Sequence, residues 1–462
     1  MDKPTSSLNR VLNLPTGILL VAGTMIGSGA FKKIAPMSQL GLGEIHILLA
    51  WIIAGVITMF GAFVYSGLAS MTTETGGVYE YLRLMFGNFF SFLFGWSIFT
   101  IGGSGSIAAL AFIFAQSVSS IFHLPDPFHS LKDLSIGNFI YPFADSGIKI
   151  LAVIVMCLLT WINCRGVKKA GVLNNIVTAA KILGILILIV LGLFYSRPEQ
   201  HNAVAANTGL SLSGTALFSA LFAAMLSALW AYDGWANITY VTGEIKNPKR
   251  NVPIAVVAGV GIAMFLYTTL NYTFIKVLPL DQLAAIGQNK IAAAEVASVI
   301  LGSIGSVLIA SLIMICTFGA LNACIITYPR VYYRMAQEGF FFKKVADVHP
   351  RFKTPNTSLV YSLVWSCVLV VTGTFDQLTN LVIFSGYLFF GLIAYGLIKM
   401  KRKGIITAKV IGYPFTPIVI ILFSAVLVIN TIIVQPKESL IGILLILSGV
   451  PFYYQFKRKQ QA

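Results

Sequence analysis

The chain has 462 residues, of which 57% are hydrophobic and only 10% charged, against about 25% charged in soluble domains. Apolar stretches of about 20 residues, each long enough to cross a bilayer, recur along its whole length and make it an integral membrane protein. The formal net charge of +16 invites a nucleic-acid reading, but the placement of that charge argues against it. With both termini in the cytoplasm, 23 Lys and Arg fall on the inner side, 8 on the outer side, and one, Lys181, inside the membrane. That bias sets orientation by the positive-inside rule, so the basic clusters are topology determinants and nucleic acid is not an expected partner.

Twelve spans are predicted, near 15–40, 45–71, 88–120, 147–163, 169–194, 212–242, 252–276, 298–335, 356–374, 377–400, 411–434 and 438–456. No segment between them is long enough for a separate soluble domain, and the longest gap, 121–146, is a loop with three prolines. The polar start Met1-Asp2-Lys3-Pro4-Thr5 lacks the features of a cleavable signal peptide, so the first span is expected to direct insertion.

Span one is interrupted by Gly27-Ser28-Gly29, and span six by Tyr232-Asp233-Gly234-Trp235, 206 residues from Gly27 to Asp233. Glycine carries the largest helix penalty after proline. A backbone break inside lipid persists only where protein or a polar ligand satisfies the freed groups. Two broken segments in corresponding positions of two halves mark the substrate site of a secondary transporter. Spans one to five and six to ten read as two halves, about 12–195 and 211–402. Five is odd, so the halves run in opposite orientation as an inverted repeat. Spans eleven and twelve, about 411–456, are extra and read as scaffold or a dimer surface; monomer and homodimer both remain open.

The chemistry expected at the breaks follows from helix ends. Amides that begin a new half-helix at Gly29-Ala30-Phe31 can hold a carboxylate. Carbonyls left free near Met25 and along Trp230, Ala231 and Asp233 can accept from an ammonium group. Anion-holding amides beside cation-holding carbonyls suit an α-amino acid zwitterion. Lys181 lies well inside span five, where a charge costs roughly 2.5 to 3.5 kcal/mol and calls for a partner or water. Asn174, Thr178 and Lys181 form one polar stripe at i, i+4, i+7. The ammonium is expected beside the span-one break, paired with freed carbonyls and with Thr317 or Cys316 of span eight. Snorkelling to the inner headgroups would need a reach of roughly 15 Å along the helix. Asp233 is the one acid well inside a span; a proton relay and a role through its backbone carbonyl alone both stay open. Trp230, Tyr232 and Trp235 flank the second break as gate candidates or as packing aromatics.

Other motifs carry less. Gly102-Gly-Ser-Gly-Ser106 has no preceding strand and no lysine, so it fails as a phosphate loop and reads as close helix packing. The five cysteines (157, 164, 316, 324 and 367) have no metal-ligand spacing. None lies in the 121–146 loop, so no disulfide-linked accessory subunit is expected. No catalytic constellation is visible, so neither an enzyme nor a cofactor is expected.

Several motifs in order resemble the amino acid–polyamine–organocation transporters, closest to the L-type branch and its bacterial serine/threonine exchangers. They are Gly23-Thr-Met-Ile-Gly-Ser-Gly-Ala-Phe31, Glu74-Thr-Gly-Gly-Val-Tyr-Glu-Tyr-Leu82, Ala231-Tyr-Asp-Gly-Trp235, Gly243-Glu-Ile-Lys-Asn-Pro-Lys-Arg-Asn-Val-Pro253, Phe318-Gly-Ala-Leu-Asn322 and Arg330-Val-Tyr-Tyr-Arg-Met-Ala-Gln-Glu-Gly339. The resemblance implies an all-α, twelve-helix fold like that of the leucine transporters, with helices one and six discontinuous. It implies that backbone groups of Ile26, Gly27, Ser28 and Gly29 hold the substrate carboxylate. The carbonyls of Met25, Trp230 and Asp233 would hold the amine beside Gly234, with Trp230 as aromatic gate. It places Lys181 where sodium-coupled relatives bind sodium, and so implies sodium independence. The family often has Gly or Ser where this chain has Asp233, and more commonly Phe where it has Trp230. The expected activity is exchange of neutral L-amino acids by alternating access across the inner (cytoplasmic) membrane of the cell. Proton-coupled symport is the runner-up, and a channel, a membrane enzyme or an amino acid sensor fits less well.

Overall fold

Helices account for nearly all of the regular structure, because apolar side chains at span length leave the backbone no other way to pair its own polar groups in lipid. The computed structural model describes residues 12–68, 71, 77–136, 140–165, 170–196, 212–288, 290–352 and 354–461. The opening of the Glu74 motif, the N-terminal basic residues, Lys168 and Lys169, and the side chain of Asn174 lie outside the described residues.

Among the described residues, nine helices are long and apolar enough to cross a membrane, and three shorter apolar helices accompany them. The first break separates α1 (Leu14–Met25) from α2 (Ser28–Lys32). Pro15 in the first turn and Asn13, whose side chain accepts from the Thr16 amide at 3.0 Å, start α1. Then come α3 (Glu44–Leu68), α4 (Gly77–Phe86), α5 (Asn88–Ile121), α6 (Ser146–Cys164) and α7 (Ala170–Phe194). The second half opens with α8 (Gly214–Tyr232), followed by α9 (Pro248–Val277), α10 (Ala292–Thr327), α11 (Pro329–Gln337), α12 (Asn356–Thr372) and α13 (Phe375–Arg402). The chain closes with α14 (Phe415–Val434), α15 (Pro436–Leu447) and α16 (Gly449–Gln461). A capping box of Thr374 and Gln377 fixes the start of α13.

Helix α5 is the buried centre: 83% of its apolar window is inside the protein, against 22% for the window of Ala292–Gln337. It packs on α10, α13, α6 and α12, while α1 packs on α9 and α7. A single π-turn, Ile98–Gly102, interrupts α5 just before the glycine–serine run. A Cβ on Gly103 would lie 2.8 Å from Tyr328 and 2.9 Å from the Ile98 carbonyl, so this run serves close helix approach, as its sequence suggested.

Three local departures from the predicted spans have physical causes. The predicted span 298–335 is two helices, because Pro329 cannot continue the ladder of α10 and instead opens α11. Helix α10 itself kinks at Gly302, whose φ of 66° suits a residue without a Cβ. After the second break the chain runs as a 3₁₀ helix, Trp235–Glu244, rather than an α-helix.

Because Gly103 has no room for a side chain, Gly103→Val should overpack the α5–Tyr328 contact. A loss of about 1–3 kcal/mol is expected, to be read as a lowered melting temperature of the detergent-purified protein. An unchanged melting temperature would show that this approach is not tight.

Candidate functional site

The two breaks face each other. After Met25 the chain turns out of helix at Ile26 (ψ 92°) and passes through an extended Gly27 (φ −140°, ψ −143°). It re-enters helix at Ser28, one residue earlier than expected, and continues through Lys33 into a short helix, Ile34–Ser38. On the other side α8 ends at Tyr232; Asp233 is extended (ψ 154°) and Gly234 takes φ +101°, a conformation strained for any residue with a Cβ.

Glycines bring the two breaks into close contact. A Cβ on Gly29 would lie 2.5 Å from the Ala231 Cα and 2.8 Å from its amide nitrogen, and one on Gly234 would lie 2.9 Å from the Thr24 carbonyl. Thr24 Oγ1 reaches the Gly234 carbonyl at 3.1 Å. Sequence reasoning passed over Thr24, since a threonine in a span ordinarily bonds only to its own helix.

Lys181 lies where its burial requires a partner. It is 3% exposed, and its Nζ donates to the carbonyls of Gly23 and Ile26, both at 3.2 Å. The ammonium therefore sits on the carbonyl end of α1, where the freed acceptors collect. Helix α7 comes this close because Gly23 has no side chain: a Cβ there would fall 2.2 Å from Thr178 Oγ1. The expected pairing with Thr317 does not form. Its hydroxyl turns onto its own helix, toward the Ile313 carbonyl at 2.8 Å and that of Met314 at 3.2 Å. Cys316 is fully buried on the same helix, within electrostatic reach of Lys181, and so is Cys324.

The three aromatic gate candidates separate. Trp230 donates from Nε1 to Ser28 Oγ at 3.2 Å, tying the second break to the first, and packs edge-on against Phe375 at 6.2 Å. Tyr232 belongs to a triad with Trp51 and Tyr267, and its hydroxyl donates to the Trp51 carbonyl at 3.1 Å. Trp235 packs against Tyr65 at 4.6 Å and against Phe390. Tyr232 and Trp235 are thus held as packing aromatics in this conformation. Tyr267, which sequence reasoning missed, donates to the Ala231 carbonyl at 3.1 Å. The Asp233 carboxylate lies within electrostatic reach of Tyr387 and Cys324.

Two motifs far apart in sequence meet at one end of the bundle. Tyr79 donates to Glu338 Oε2 at 2.8 Å, and Arg83 pairs with Glu80 at 2.5 Å and with Glu338 at 3.7 Å. Arg334 adds a pair to Glu338 at 3.2 Å. The network joins α4 to the end of α11.

The amino acid permease family profile matches residues 12–454. The serine/threonine exchanger SteT of Bacillus subtilis is 29% identical over 466 residues, covering 100% of both chains. The b(0,+)-type amino acid transporter 1 of Mus musculus is 30% identical over 98% of this chain and 89% of its own. The large neutral amino acids transporter small subunit 2 of Mus musculus is 28% identical over 97% of this chain and 81% of its own.

Since Ser28 Oγ accepts the Trp230 indole, Ser28→Ala should lose one buried hydrogen bond, about 0.5–1.5 kcal/mol. Amino acid binding measured by isothermal titration should weaken by up to about tenfold and survive. Complete loss of binding would make the hydroxyl itself a ligand.

Proposed function

The chain belongs to the amino acid permease family, and from that premise we propose that it exchanges neutral L-amino acids by alternating access, without sodium, across the cytoplasmic membrane. The observation that carries the sodium independence is the Lys181 ammonium on the Gly23 and Ile26 carbonyls. A cation ligated by those carbonyls would compete for the same lone pairs, and the tethered ammonium already holds them.

In this reading the twelve apolar segments are twelve spans, with both termini cytoplasmic. They form two inverted halves, 12–195 and 211–402, and two extra helices within 411–456. The substrate carboxylate meets the backbone of Ile26, Gly27, Ser28 and Gly29. The amine meets the carbonyls of Met25, Trp230 and Asp233, with Ala231 and Gly234 forming the wall that lets the breaks approach. Trp230 closes over the ligand, held by Ser28 and Phe375. No disulfide-linked companion is needed, since the 121–146 loop has no cysteine. Lipid and amino acids are the partners, and the chain works as a monomer or a homodimer. The extent of the resemblance to an exchanger, 100% of both chains, favours exchange over net uptake.

Proton-coupled symport is the second reading, favoured by a carboxylate, Asp233, at the second break. The two separate in proteoliposomes held without sodium and given labelled alanine, serine and leucine. Exchange predicts uptake only where unlabelled amino acid waits inside. Uptake into empty vesicles that rises with an inward proton gradient would establish symport instead.

Lys181→Ala leaves two buried carbonyls short of a donor, at about 1–3 kcal/mol each. At least a tenfold fall in exchange rate is expected, with a monodisperse size-exclusion profile as the folding control. A well-folded variant that exchanges at the parent rate would refute the role of the ammonium.

A further inference from the structure

Beyond the first break the chain carries two adjacent lysines that substrate binding at the breaks does not require. Lys32 and Lys33 are only 2% and 1% exposed, although sequence bookkeeping counts them as outer-side charges. Burying an ion costs several kcal/mol unless it is compensated, and both are. Lys33 Nζ lies 2.6 Å from Asp376 Oδ1 and 2.6 Å from Thr379 Oγ1, at the start of α13. Lys32 donates to Gln116 Oε1 at 2.7 Å and to the Gln288 carbonyl.

Three of these partners, Gln116, Gln288 and Asp376, line one cavity of about 190 Å³. That is more than ten times the ~15 Å³ that a single water needs. Asp145, Lys149 and Phe375 line it as well. Phe375 connects it to the breaks: its ring meets Trp230 edge-on at 6.2 Å, and the Lys32 and Lys33 ammonium groups lie 4.7 and 4.8 Å from its centroid. The cavity thus borders the site at the breaks across a single aromatic ring, and its walls carry both signs of charge.

We propose that this cavity is a second binding site for a zwitterionic amino acid, occupied on the way between solution and the breaks. The proposal rests on the amino acid transport reading. The ligand carboxylate takes the place of Asp376 on Lys33, and the ligand ammonium takes the place of Lys33 on Asp376. A lone cation opening that pair would leave the buried Lys33 charge uncompensated, and a lone anion would leave the half-buried Asp376 without its partner. A zwitterion compensates both, so the pair selects for the molecule that carries both charges. Opening it also removes one of the contacts that hold the segment after the first break to α13.

The test is equilibrium dialysis of labelled L-serine, L-alanine and L-leucine against the purified full chain. Two binding components are expected. Asp376→Asn should weaken one of them at least tenfold and leave the other. Because Asp376→Asn strands Lys33, Ala144→Phe provides a second test: Ala144 lines the cavity, and the larger ring would fill it without touching the ion pair. Ala144→Phe should remove the same component and raise the KM for substrate offered from that side. A single component of unit stoichiometry that neither variant alters would overturn the second site while leaving transport intact. Absence of any binding by the parent protein would overturn the amino acid reading and the proposal with it.

Discussion

A lysine ammonium resting on two backbone carbonyls is the contact that joins the first break to a neighbouring helix. Opening a helix inside lipid exposes acceptors that nothing in the hydrocarbon can satisfy. The Gly23 and Ile26 carbonyls are such acceptors, and Lys181 supplies the missing donor from a neighbouring helix. The arrangement helps each side: the carbonyls give the deeply buried lysine acceptors, and the lysine gives the open break a donor. Gly23 makes room for it by letting α7 approach against Thr178. One residue too small to fill its place and one too polar for its surroundings thus form a single device.

Around that device the protein is fastened at both ends. At one end Lys33 and Asp376 join the segment after the first break to α13. At the other, Tyr79, Arg83, Arg334 and Glu338 join α4 to the end of α11. Between them the two breaks touch through Gly29, Ala231, Thr24 and Gly234. The fastenings are polar and few, whereas the helix faces beside them are apolar and extensive. Charge pairs separate when a competing ion or water reaches them, while packed apolar faces separate only together. Such a distribution suits a molecule that must change shape locally and keep its bundle.

Composition and glycine placement made the membrane class, the two breaks and the family legible, because a long apolar run interrupted by Gly27-Ser28-Gly29 has few physical solutions. Lys181 was legible for the same reason, since an ion deep in a span must have a partner. Its partners were only half legible. Carbonyls were foreseen, but the Thr317 hydroxyl satisfies itself within its own turn, as threonine in a helix often does. The burial of Lys32 and Lys33 was not legible, because positive-inside counting assigns charge to a side of the membrane and says nothing of burial. Asp376 was overlooked at the edge of a span, where acids are ordinary. The π-turn at Ile98–Gly102 and the kink at Gly302 depend on tertiary packing around residues whose sequence context resembles many straight helices. Thr24 and Tyr267 matter through contacts some 210 and 36 residues away in the chain, which no local pattern encodes.

Gly29 brings no side chain to its contact with Ala231, whose backbone and methyl group stand directly against it. On the proposed reading, the surface that grips the ligand's amine and carboxylate is then written in main chain, which point substitution cannot rewrite. Only the part facing the variable end of the ligand, around Trp230 and Phe375, is written in side chains. A lineage carrying this architecture can diversify what it accepts at the α-carbon's substituent while the demand for an α-amino acid stays fixed. The evolvable and the invariant halves of its selectivity are separated by the covalent structure of the polypeptide itself.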